Sequence, residues 1–82
     1  MININNKNRI PKYKQIVSSI QNKIKKGDLE QGDKLPSINS LKNDLNIARD
    51  TVIKAYKELI TMGIITSMPG KGYYVSKAIH DI

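Results

Sequence analysis

Eighty-two residues, 39% of them apolar, make one small domain with one compact core. With no cysteine and a single histidine, His80, the chain offers no disulfide or thiolate metal site and almost nothing for histidine catalysis or zinc binding, so an enzyme, a cofactor and a metal site are not expected. Fourteen Lys and Arg against seven Asp and Glu give a net charge of +7, which favours a polyanionic partner through counterion release.

Three of the seven acids (Asp28, Glu30, Asp33) gather in one loop, so the basic character concentrates elsewhere. No apolar run approaches the roughly 20 residues of a membrane span. The N-terminal stretch lacks the apolar segment of a secretory signal, and the expected compartment is the cytoplasm.

Residues 1–10 are polar and rich in Asn, and read as a loose arm in which Lys7 and Arg9 are candidates to touch phosphate. Pro11 marks the start of a first helix of about fifteen residues. Tyr13, Ile16, Val17, Ile20 and Ile24 line its buried side, and Lys12, Lys14, Lys23, Lys25 and Lys26 its exposed side. Gly27 ends it, with Lys25 and Lys26 placed well for the helix dipole. The loop 28–33 has Leu29 as its apolar anchor. Lys34-Leu35, ahead of Pro36, suits a very short strand.

The stretch 37–62 predicts two helices joined by a tight turn. Ser37 is a good N-cap for a helix running to Leu45, with Ile38, Leu41 and Leu45 on one face. Asn46 tolerates the left-handed conformation the turn requires, and Ile47 plugs the angle. The next helix, about 49–62, buries Val52, Ala55, Tyr56, Leu59 and Ile60. Arg49, Asp50, Ile53, Lys54 and Lys57 are expected on its opposite face. Ala48 falls at its N-cap and brings no side-chain oxygen, a loss of about 1 kcal/mol relative to Ser that Asp50 and Thr51 can partly recover. This is a helix-turn-helix whose second helix suits a DNA major groove.

Gly63 closes that helix. Residues 64–68 read as a strand, 69–72 as a turn and 73–76 as a returning strand. Tyr56 and Tyr74 both sit at core spacing. The tip, Gly70-Lys71-Gly72, lets backbone approach a ligand and puts a charge at its most protruding point. It is no phosphate-binding P-loop, since no Ser or Thr follows Lys71 and a strand, not a helix, comes next. Residues 77–82 read as the start of a linker or tail. The expected fold is therefore mainly α with a small β-hairpin, a winged helix-turn-helix over residues 11–76.

These residues resemble the DNA-binding domain of the GntR family of bacterial transcription regulators. The likeness runs through residues 27–37, Leu41, Leu45, residues 47–52, Ala55-Tyr56, Leu59, residues 62–65 and 70–75. The resemblance implies a homodimer on a roughly palindromic double-stranded operator. It also implies a C-terminal effector-binding domain, which lies beyond this chain; the chain looks like an isolated DNA-binding domain. Contacts carried over are Arg49 and Thr51 in the recognition helix and Gly70 and Lys71 in the wing. Two positions depart from the pattern. Ala48 stands where Ser or Thr is usual, and Asn39 where Arg is common, so both remove contacts.

The functional expectation is sequence-specific transcription regulation, with the helix 49–62 in the major groove and the wing 68–73 at the minor groove. Arg49 would bond a guanine edge, and Asp50 would accept from a cytosine amine or orient Arg49. Ile53 would meet a thymine methyl, while Ser37, Thr51 and Lys54 would serve phosphates or helix termini. Lys71, freed by Gly70 and Gly72, would enter the minor groove or meet its phosphates. The alternative is a winged-helix module that binds protein and not DNA, for which an outward Ile53 is the one argument.

Overall fold

A computed structural model of the protein describes residues 9–76. Most of the expected arm, Lys7 included, and the tail with His80 lie outside the described residues. The chain runs α1 (Lys12–Lys26), α2 (Ile38–Leu45), α3 (Arg49–Thr61), β1 (Ile65–Met68) and β2 (Gly72–Val75). This is the expected mainly helical fold with a two-stranded wing.

All three helices end the same way. Past the last residue of α1, Gly27 turns left-handed (φ 86°), and the N–H of Asp28 returns to the Lys23 carbonyl at 2.8 Å. Gly63 ends α3 likewise, with the Ile64 N–H on the Leu59 carbonyl at 3.0 Å. Between α2 and α3 the turn falls to Asn46 (φ 53°, ψ 52°), and the Ile47 N–H reaches the Lys42 carbonyl at 3.2 Å. Each is a Schellman closure, which satisfies orphan carbonyls while reversing the chain. Asn46 is the one described non-glycine residue in that conformation.

The core lies where α3 crosses α1 and α2 and meets β1. Ile16, Ile20, Val52, Ala55, Leu59 and Ile64 are fully buried, and Leu35, Ile47, Ile65 and Val75 close around them. At about 1.5–3 kcal/mol for each fully buried large aliphatic side chain, this cluster is the main force setting the angle of α3. Tyr56 is buried with its hydroxyl donating to the Pro36 carbonyl at 2.7 Å. Its ring meets Tyr73 edge-on, centroids 4.8 Å apart.

The hairpin pairs Ile65 with Val75 and Met68 with Gly72, antiparallel. The segment before α2 supplies a further edge: Lys34 bridges Tyr74, and the Leu35 N–H donates to the Tyr73 carbonyl at 2.8 Å. The short strand expected at Lys34-Leu35 is thus a single bridge. It fixes the wing's base to the entrance of α2.

Two core expectations fail. Ile60 is 38% exposed, because it lies about a quarter turn from the centre of a stripe already filled by Val52, Ala55, Tyr56 and Leu59. Tyr74 is only half-buried and outside the core, because side chains alternate along β2 and Tyr73 and Val75 share the inner face.

Candidate nucleic-acid interface

The N-termini of α2 and α3 meet at the turn, and they are finished differently. Ser37 caps α2, its Oγ accepting from the Ser40 N–H at 3.0 Å, so this hydroxyl already serves the helix terminus. Ala48 occupies the N-cap of α3 with extended backbone (φ −67°, ψ 142°) and no side-chain cap. Asp50 supplies an acidic group in that first turn. Neither Asp50 nor Thr51 makes a side-chain hydrogen bond among the described residues, so the local bonds expected to offset Ala48 are not formed.

At 3.6 residues per turn the expected site residues spread around more than half of α3. Asp50, Lys54 and Lys57 lie opposite the buried stripe and are exposed, while Ile53 is half-buried on its flank. Arg49 is not opposite the stripe. It lies on the flank facing α2, where its Nε–H donates to Asn39 Oδ1 at 3.3 Å. Asn39, not Asp50, therefore orients Arg49. Asn39 lacks the reach of the usual arginine but gains this bond.

The other flank faces α1. Lys54 Nζ sits 4.3 Å above the centre of the Tyr13 ring, a cation–π seat that steadies a long side chain. Thr51, Asp50 and Lys54 with Pro11, Lys12 and Tyr13 line an open cleft between the N-termini of α3 and α1. Periodicity places Tyr13 on the buried side of α1, and nothing in the spacing of two residues 41 positions apart reports that seat.

In the wing, Met68-Pro69-Gly70-Lys71 forms a turn closed by the Lys71 N–H on the Met68 carbonyl at 2.9 Å. Pro at the second position and Gly70 at φ 76° in the third are what a type II turn demands. Lys71 is exposed at the tip. Gly72, at φ 124°, has a second constraint, since a Cβ there would meet Lys34 Cε at 3.2 Å. Lys34 thus lies against the wing, a basic neighbour the linear sequence does not single out.

Among the described residues one ionisable group is strongly perturbed. Burial, with Tyr73 as the second cause, holds the Tyr56 phenol far above its ordinary value of 10.0, and its role is to tie α3 to the α2 entrance. Among the described residues no group of His, Asp and Glu is arranged to hold a metal ion, and no helix is long and apolar enough to cross a membrane.

A helix anchored by its apolar face behind a capped α2, with basic groups outward and a lysine-tipped hairpin beside it, defines a winged helix-turn-helix of the DNA-binding class. Residues 12–75 match the model of the bacterial regulatory proteins of the gntR family. The chain belongs to that family of DNA-binding transcription regulators.

It is 40% identical over 77 residues to the HTH-type transcriptional repressor YtrA of Bacillus subtilis, covering 94% of this chain and 59% of that protein. YtrA from Sulfolobus acidocaldarius, a GntR-family transcription factor, superposes with a TM-score of 0.86 at 41% identity, over 93% of this chain and 80% of that one. The AraR DNA-binding domain in complex with operator ORX1 gives a TM-score of 0.77 at 31% identity, over 82% and 81% of the two chains.

Proposed function

We propose that the chain reads a short operator sequence with α3 in the major groove while the wing, residues 68–73, meets the minor groove. The observation that carries this reading is the division of α3. One side is held in the core by Val52, Ala55, Tyr56 and Leu59, the opposite side leaves Asp50, Lys54 and Lys57 exposed, and Arg49 is exposed on the flank beside α2. Arg49 is the guanine reader, with Asp50 and Ile53 facing neighbouring bases. Thr51, Lys54 and the first-turn amides behind Ala48 meet phosphate, as does Lys71 on its glycine-flanked tip. Ser37 contributes through the position of α2, and Gly70 and Gly72 through close backbone approach.

Operator occupancy would act on transcription in the cytoplasm, and repression is the favoured direction because the Bacillus relative is named a repressor. A roughly palindromic operator calls for a homodimer. In this reading both the dimer contact and any response to a small effector belong to a C-terminal domain outside the chain, and residues 11–76 are the DNA-reading domain. No catalysis and no cofactor enter the mechanism.

The chain by itself is therefore expected to be monomeric at micromolar concentration and to bind one half-site weakly. Sedimentation tests the first point, and a stable dimer would refute it. Selection of bound duplexes from a random pool, followed by isotherms at several salt concentrations, tests the whole reading. A steep negative salt slope with a recurring selected motif supports it. Salt-independent or absent binding defeats it.

A further inference from the structure

Asn39 and Arg49 stand ten positions apart, in the first turns of two different helices, and the buried Leu41, Ile47 and Val52 set the angle that brings them together. A guanidinium can only donate, so the carboxamide must turn its oxygen to the Arg49 Nε–H. We propose that Asn39 and Arg49 form a single donor-only reading unit, with Asn39 the specificity-determining partner that commits the pair to guanine followed by a second acceptor. This rests on the operator-reading function above.

Arginine has two ways to make a paired contact: side-on, through Nε and one terminal nitrogen, or end-on, through both terminal nitrogens. With Nε engaged by Asn39, the end-on pair is what remains for a base, and it fits the O6 and N7 acceptors of guanine. The tie also limits swivelling of a long side chain that is otherwise exposed.

Asn39 is changed in turn. A free carboxamide recognises adenine by offering oxygen and NH2 together to N6 and N7. An oxygen turned to Arg49 breaks that arrangement and leaves the NH2 as the group on offer. The pair then presents donors only, matched by guanine next to a guanine N7 or O6, an adenine N7 or a thymine O4. An arginine at position 39 has no acceptor for Arg49 and would repel it, so the asparagine is a change of readout and not merely a lost contact.

The test uses the 82-residue chain, a duplex selected from a random pool, its scrambled counterpart, and the selected duplex with 7-deazaguanine at each guanine in turn. Asn39→Ala is expected to lower the preference for the selected duplex about 3- to 10-fold, the worth of one hydrogen bond, while affinity for the scrambled duplex and the salt slope stay unchanged. In an Arg49→Ala background the same change should alter the preference less than about twofold, since coupled residues are not additive. Asn39→Asp keeps the acceptor for Arg49 but loses the NH2, so it should retain the preference at the guanine, lose it at the neighbouring acceptor and weaken both duplexes. One 7-deazaguanine position should weaken the unmodified chain and leave Arg49→Ala indifferent.

Additive losses from Asn39→Ala and Arg49→Ala would overturn the proposal. So would an Asn39→Ala effect that is confined to an adenine position and persists in the Arg49→Ala background, which makes Asn39 a reader on its own. Equal weakening of both duplexes with a shallower salt slope would make it a phosphate contact, also against the proposal. A chain that shows no preference between the two duplexes would refute the operator-reading function itself, an outcome distinct from additivity in a chain that discriminates. Both side chains are exposed, and matched unfolding curves for the variants exclude a folding defect.

Discussion

The recognition helix and the wing tip both carry cations, yet the protein holds them in opposite ways. α3 keeps Val52, Ala55, Tyr56 and Leu59 at no more than 1% exposure, with a phenol bonded to Pro36 and an end closed by Gly63. Every residue from 66 to 71 is exposed, and the tip is shaped by the Lys71 N–H on the Met68 carbonyl, a long Tyr74 hydroxyl bond to the Lys71 carbonyl at 3.4 Å and two glycines. Reading a base edge demands placement within about 0.5 Å, which only a packed element supplies. Neutralising phosphate demands charge within reach, which a loosely held tip supplies as well. In the proposed reading, this difference gives discrimination to the helix and sequence-tolerant affinity to the wing.

The largest effect that would sharpen this contrast is on stability. Leu59→Ala should cost about 2–5 kcal/mol, because it opens a cavity under α3. Met68→Ala, on the exposed wing, should stay within about 0.5 kcal/mol. Urea denaturation of both measures the gap, and comparable losses would mean the wing is as integral to the core as the helix.

Next comes the division of labour on DNA. Arg49→Ala should lose about 1–3 kcal/mol of preference for the selected duplex over scrambled DNA. Lys71→Ala should weaken both alike and reduce the salt slope by about one unit. If Lys71→Ala erases the preference while Arg49→Ala weakens both equally, the wing is the reader and the comparison is inverted.

The tie between α3 and the α2 entrance is the third handle. Tyr56→Phe removes the hydroxyl that bonds the Pro36 carbonyl and should cost about 0.5–1.5 kcal/mol. The folded phenol keeps its proton to higher pH than the unfolded one. Its contribution is therefore complete below pH 10.0 and falls as pH rises above that, through the folded value. Denaturation midpoints across that range should fall less steeply for Tyr56→Phe than for the unmodified chain. Parallel curves would mean that other groups govern alkaline unfolding.

The smallest expected effect is at the uncapped start of the reader. Ala48→Ser should stabilise the fold by about 0.5–1 kcal/mol, by giving the free amides of α3 the oxygen that Ser37 already gives α2. Thermal unfolding reads it, and no gain would mean that those amides are already satisfied by water at no cost.

What the sequence determined by itself is local. Helix starts at Pro11 and Ser37, stops at Gly27, Asn46 and Gly63, the missing cap at Ala48 and the turn at Gly70 are all written in residues whose backbone preferences act over three or four positions. The apolar periodicity then left one arrangement for three helices and a hairpin. Tertiary structure decided what depends on partners distant in sequence. It set which tyrosine of the wing faces inward, since pairing with β1 and with Lys34 fixes the inner face of β2. It left Ile60 at the edge of a stripe already filled. It turned Arg49 toward Asn39 and seated Lys54 on Tyr13, because both flanks of α3 acquire neighbours only once its buried face has locked the crossing angle. Periodicity reports one face of a helix; the neighbours of its flanks follow from how whole elements pack.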